Sequence, residues 1–134
     1  MPCHLAILKR KYLDLIISGR KSMECRLTRI PCAPFRQAAA GEKVLFKQSA
    51  GPIRAQAYIE KALFFGRLTP DSIRGLRRRY NDKVCADADF WLSRLDCRYG
   101  SLIWLTDVTE IPPYRIRRKG LRAWIISEDD QFDL

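Results

Sequence analysis

Histidine is almost missing from this sequence: His4 is the only one in 134 residues. A Ser-His-Asp hydrolase or a histidine acid–base pair has at most that one ring to work with, and it lies in a predicted first strand. A zinc site takes four ligands, usually clustered in pairs, and the cysteines do not make up the shortage. Cys3, Cys25, Cys32, Cys85 and Cys97 form an odd set with no Cys-x-x-Cys pair, so they read as reduced thiols, mostly buried as small hydrophobes. Also absent are a Gly-rich phosphate loop, a secretory signal after Met1-Pro2-Cys3-His4, and any apolar run near the ~20 residues of a membrane span. No metal, cofactor or membrane is expected, and the expected location is cytoplasmic.

What the chain does have is positive charge. Lys and Arg number 25 against 15 Asp and Glu, a net of +10. The acids are unevenly placed. Residues 127–134 carry four of them and no base, which leaves 25 bases against 11 acids, or +14, on residues 1–126. Such a body attracts polyanions, and Lys and Arg contacts to phosphate supply most non-specific nucleic-acid affinity. Charge held only for solubility is the alternative reading. With 47% hydrophobic residues in a length typical of one domain, the chain is expected to fold as a single unit, 1–134, ending in an acidic tail over 127–134.

Periodicity gives the elements. Residues 3–8 read as a buried strand, and Tyr12, Leu13, Ile16 and Ile17 mark one face of a helix over 10–18, with Gly19 at its C-terminal cap. Residues 21–27 alternate, with Met23, Cys25 and Leu27 on one face and Ser22, Glu24 and Arg26 on the other. A long loop over 28–41 follows, then a hairpin of strands at 44–46 and 53–60 turning at Gly51-Pro52. Thr69-Pro70-Asp71 opens a helix whose Ile73, Leu76 and Tyr80 face inward and whose Arg74, Arg77 and Arg78 face outward. A short helix over 87–95, a central strand over 101–108, a basic run over 115–120 and a last strand over 122–126 complete the chain. Short strands outnumbering helices predict an α+β fold, a small, partly closed mixed β-barrel with peripheral helices.

The segment Gly19-Arg20-Lys21-Ser22-Met23-Glu24-Cys25-Arg26, after a strand and a helix bearing Tyr12, resembles the opening motif of the ASCH domain family, Gly-x-Lys-x-x-Glu-x-Arg. Gly41-Glu42-Lys43-Val44, Phe65-Gly66-Arg67-Leu68-Thr69-Pro70, and Lys119-Gly120 through Trp124-Ile125-Ile126 resemble later pieces of the same family in the same order. The resemblance implies a barrel of the PUA-like kind, widespread among RNA-binding and RNA-modifying proteins, with a cleft lined partly by the Lys-x-x-Glu-x-Arg segment. One branch of the family hydrolyses acylated cytidine, and ribonuclease activity has been ascribed to others. That hydrolytic branch carries a threonine three residues after its lysine, where this chain has Glu24. It also uses a glutamate beyond its middle helix, and the nearest match here is Asn81-Asp82.

The resulting expectation is a domain that binds RNA or another single-stranded nucleic acid. Lys21, Glu24 and Arg26 are placed at the cleft, and the other expected nucleic-acid contacts are Lys9, then Arg74 and Arg78 on the middle helix, and Tyr114, Arg115, Arg117, Arg118 and Lys119 before the last strand. Glu24 offers an acceptor to an exocyclic amine, the cations hold phosphate or a base edge, and an exposed Tyr80 or Tyr114 stacks on a base. Glu24 with Arg26 reads equally as an ion pair that pins the strand. The alternative function is a metal-independent ribonuclease or an amidohydrolase on a modified nucleoside, using Lys21 with Glu24 or Ser22 as acid–base and nucleophilic groups.

Overall fold

Bulges decide the shape of this molecule. The computed structural model describes residues 1–117, 122–128 and 132. Its strands are β1 (Cys3–Leu8), β2 (Met23–Thr28), β3 (Lys43–Gln48), β4 (Ile53–Phe65), β5 (Tyr99–Tyr114) and β6 (Trp124–Ser127), and its helices are α1 (Arg10–Ile17), α2 (Pro70–Val84) and α3 (Ala88–Leu92). The strands form one sheet in the order β2-β5-β4-β3-β1-β6, with β1 parallel to β3 and every other pairing antiparallel. The β4–β5 ladder changes register between Ile53 and Ala55, Gln56 and Tyr58, and Ile59 and Lys61. Each such irregularity bends its strand and sharpens the local twist. The long central pair therefore curls, and the sheet becomes a half-barrel.

Both central strands run past their sequence-predicted ends, β4 to Phe65 and β5 from Tyr99 to Tyr114. Alternation breaks at the bulges, so residues beyond them lose the period that marks a strand. Pro112 and Pro113, beyond the expected strand over 101–108, lie within β5, in the stretch where the ladder skips from Ala55↔Glu110 to Ile53↔Tyr114. A proline at an irregular ladder leaves no regular hydrogen bond unmade. The last strand starts at Trp124, two residues later than expected, and takes in Ser127 from the expected tail. The short third helix ends at Leu92, but i→i+3 bonds from Arg94 N–H to Trp91 O and Cys97 N–H to Arg94 O carry the turn onward, and Leu95 still packs inward.

The apolar residues settle into separate clusters. One fills the curl: Leu13 and Ile16 of α1 meet Phe46, Ile59, Ile103 and Trp124 of the sheet. Another lies between β2, β5 and the helices α2 and α3, around Met23, Ile73, Trp91 and Leu102. A third, Cys3, Leu5, Leu45 and Ile53, takes Phe132 as a partly buried neighbour. The other acidic-tail residues beyond Glu128 lie outside the described residues. All five cysteines are free thiols.

The start of α2 is as the sequence predicts. Thr69 Oγ1 accepts from the Ser72 N–H at 3.2 Å, and Ser72 Oγ accepts from the Thr69 N–H at 2.6 Å, with Pro70 opening the first turn. Thr69→Ala removes one half of this reciprocal cap and is expected to cost about 1 kcal/mol. Urea denaturation checks it, as a lower midpoint at an unchanged slope.

Candidate functional site

Curling brings the two edges of the sheet, β2 and β6, toward one another, and among the described residues no backbone ladder joins them. A side chain does. Arg26 of β2 donates from Nη2 to Ile7 O and from Nη1 to Ala123 O, both at 3.3 Å. Its guanidinium also lies 5.2 Å from the ring centroid of Trp124. Along this seam opens a cleft of about 860 Å³. Its lining includes Lys21, Glu24 and Arg26, Lys9 and Tyr12 from the first helical segment, Asp87, Phe90 and Arg94 from the region of α3, Arg122 ahead of the last strand, and Trp124 within it.

The innermost charges form a closed network. Gly19, at φ +86°, turns the chain out of α1 in a conformation open to glycine. This delivers Lys21 inward to full burial beside Glu24. Lys21 Nζ donates to Val84 O at 2.6 Å and Met23 O at 2.9 Å, and lies 2.8 Å from Glu24 Oε1. An ammonium has three donors, and here three acceptors surround it. Arg26 Nε donates to the other carboxylate oxygen, Glu24 Oε2, at 2.8 Å. Burial alone would push the Glu24 carboxyl up, but the charges of Lys21 and then Arg26 outweigh it and hold it below its ordinary value. Neighbouring Cys25 goes the other way: burial, then the Glu24 charge, push its thiol up to about 12, so it is no nucleophile at neutral pH.

A second pair stands nearer solvent. Tyr12 Oη donates to Asp87 Oδ1 at 2.5 Å, and Lys11 Nζ lies 3.3 Å from the same carboxylate. The Tyr12 hydrogen bond, then that of Lys11, lowers the Asp87 carboxyl, while burial and then the Asp87 bond raise the Tyr12 phenol. Arg94 stacks 4.2 Å from the Phe90 ring centroid and donates to Phe90 O. Behind the cleft, Trp124 Nε1 donates to His4 Nδ1 at 2.9 Å, and His4 Nε2 lies 2.7 Å from Glu42 Oε1. Because indole nitrogen only donates, Nδ1 is the acceptor, and the imidazole proton sits on Nε2 toward Glu42. His4 is fully buried. It anchors the last strand and does not line the cleft.

The structure brings Lys9, Lys21, Glu24 and Arg26 together along the cleft; the resemblance pointed to the last three, while Lys9 was expected only as a nucleic-acid contact with no place given. Ser22 does not line the cleft: strand alternation begins only at Met23, and Ser22 is held by backbone bonds to Lys83 O and from Leu105 N–H. Arg74 and Arg78 lie exposed on α2 away from the cleft, with Arg74 paired to Asp71 at 2.9 Å. Tyr114, Arg115 and Arg117 are exposed at the far end of β5 and do not line it either. Arg118 and Lys119 fall outside the described residues. Tyr80 packs edge-on against Trp104, with centroids 5.7 Å apart. Asn81 is structural: its Oδ1 accepts from Ala86 N–H and from Trp91 Nε1, tying α2 to α3. The acids beyond the middle helix that do line the cleft are Asp87 and Asp89. Sequence reasoning missed them, along with Arg94 and Trp124, which no local pattern links to the motif. Tyr12 was visible as the aromatic ahead of that motif, but not as a cleft residue. Among the described residues no His, Cys, Asp and Glu cluster suited to a metal occurs, and no helix is long and apolar enough to cross a membrane.

By sequence, no family model and no curated protein matches this chain. By structure, it is similar to the crystal structure of ASCH from Zymomonas mobilis, with a TM-score of 0.71 at 16% identity over 92% of this chain and 85% of that one. A point variant of the same protein gives 0.72 at 16% identity, over 92% and 86% of the two chains, and another gives 0.66 at 18%, over 84% and 75%. Likeness at such identity speaks for the fold, a small mixed α+β half-barrel with peripheral helices. The strand order and peripheral helices described above therefore build a fold similar to that of the solved ASCH structure.

Proposed function

We propose that this chain binds single-stranded RNA and seats one nucleotide in the seam cleft. The observation that carries the reading is the Lys21–Glu24–Arg26 network: an ionised carboxylate held rigidly at the cleft floor, with cations at its mouth. Each carboxylate oxygen retains a second lone pair, so Glu24 still accepts from an exocyclic amine or ring N–H of a base. Lys9 and Arg94 supply positive charge for the flanking phosphates, and Phe90 and Tyr12 supply apolar surface for a ring. Lys21 serves this site by fixing Glu24, since its own donors are already directed to Met23, Val84 and Glu24.

Fluorescence anisotropy with a labelled RNA octamer tests the reading. Affinity is expected to fall with salt at a slope of about −0.7 per phosphate contacted, and Lys9→Ala with Arg94→Ala to flatten that slope by about 1.4. An octamer affinity that ignores salt, or that the double substitution leaves untouched, overturns it. A hydrolytic reading is favoured by one observation, the Tyr12–Asp87 pair, which is the proton-bearing pair on the cleft wall. It predicts RNA fragments in the presence of EDTA that disappear in Tyr12→Phe, or consumption of an acylated nucleoside, whereas binding alone leaves the RNA intact.

A further inference from the structure

A second hollow, of about 590 Å³, lies between the start of β5, the end of β4 and the loop over 28–41. Phe35, Phe64, Phe65 and Tyr99 wall it, and all four are only half-buried. Phe35 meets its neighbours edge-on, with centroids 6.0 Å from Phe64 and 5.3 Å from Tyr99, so the rings are braced and none is stacked on another. Arg36 and Arg67 also line it, both are exposed, and among the described residues neither makes an ion pair. Arg36 holds φ +55°, a left-handed backbone unusual for a non-glycine residue, and its guanidinium lies 5.2 Å from the Phe35 ring centroid. Among the described residues no carboxylate lines the hollow. At Gly66 a Cβ would stand 3.7 Å from Arg36 Nη2 and 3.8 Å from Phe35 Cζ, so a side chain longer than alanine's enters the space.

The seam cleft leaves this hollow unused, yet the two share a wall: Ile30 and Ala33 of the same loop face the cleft, and Phe35 and Arg36 face the hollow. Half-exposed rings beside unpaired arginines, with no acid among them, suit bases and phosphates of one strand, because every base offers a π-face and stacking tolerates sequence. We propose that this hollow is a second, base-stacking subsite for single-stranded RNA, reached by a strand that leaves the seam cleft over the 28–41 loop. The polymer is the one proposed for the cleft, so the inference rests on that reading for its ligand, but the geometry stands on separate residues.

The test is an amide-resolved NMR titration of the full chain with an eight-residue oligouridylate. The amides of Gly66 and Ser72 report on the hollow, and those of Cys25 and Ala86 on the cleft. Both sets are expected to move. Gly66→Leu should abolish the first set of shifts, keep the second, and weaken the octamer about tenfold, the effect of losing one stacked base. Arg36→Ala with Arg67→Ala, two surface changes, should do the same if the leucine disturbs folding. Movement of the cleft amides alone overturns the subsite and leaves the cleft reading standing. Movement of the hollow alone does the reverse, and movement of neither set overturns both.

Discussion

Lys21→Ala is expected to cost about 3–5 kcal/mol of stability, the range for removing one partner of a buried ion pair. Alanine strands Glu24 beside Arg26 alone and withdraws the donor from Met23 O and Val84 O, the latter at the end of α2. Lys21→Met restores most of the stem volume without the charge, so it should recover little of the loss if electrostatics dominate. The pH dependence gives a second signature. Glu24 is held below its ordinary value of 4.5, so its contribution is fully present above that pH and is lost as pH falls through the lower folded value. In Lys21→Ala the burial term meets less opposition and the folded carboxyl rises. The gap between wild type and variant should therefore narrow as pH falls through the variant's higher folded value toward the wild type's lower one. Urea midpoints at neutral and acidic pH measure both effects, and a loss under about 1 kcal/mol at neutral pH would remove the network from the stability of this fold. The same result bears on function: lost RNA binding or cleavage in Lys21→Ala reports on the floor of the cleft as a whole, so Lys9 and Arg94 at the mouth are the cleaner probes.

Legibility in the sequence followed contact range. Lys21, Glu24 and Arg26 were legible because six consecutive residues hold them, between a glycine cap and an alternating strand, and their interactions with one another are local. Thr69-Pro70 was legible for the same reason, as a cap written within four residues. The seam was not. Arg26 reaches Ala123 across 97 positions, Trp124 reaches His4 across 120, and Tyr12 reaches Asp87 across 75. These pairs meet because β6 joins β1 in the register Ala6↔Trp124 and because the sheet curls, and the curl comes from bulges whose sequence mark is a broken alternation. Basic runs misled in the other direction. The arginines of α2 and those after Tyr114 dominate the sequence by density, whereas the cleft draws its cations singly from distant segments. A surface stripe is conspicuous in one dimension, and a site is assembled in three.

The other large effect is expected at Trp124. Its strand has only four residues, Trp124–Ser127, pairs with β1 alone, and forms one lip of the seam. Four ladder positions hold an edge strand weakly, so the ring must do much of the anchoring: it is buried in the main core cluster, donates to His4 Nδ1, and backs the Arg26 guanidinium. Trp124→Ala opens a cavity there and is expected to cost about 3–5 kcal/mol. Trp124→Phe keeps most of the volume but leaves a buried imidazole nitrogen without its donor, for about 1–3 kcal/mol. If the seam is held as described, the two variants should also separate in the cleft. Phenylalanine still offers Arg26 a ring and should largely keep RNA affinity, while alanine frees the guanidinium and the strand and should lose it. A double-mutant cycle of Trp124→Phe with His4→Leu isolates the Nε1–Nδ1 bond, with an expected coupling of about 0.5–3 kcal/mol for groups in direct contact. Strict additivity in that cycle, with wild-type stability in Trp124→Phe, would mean that the last strand is held by its four-residue ladder and packing alone, and that His4 has no part in setting the lip of the cleft.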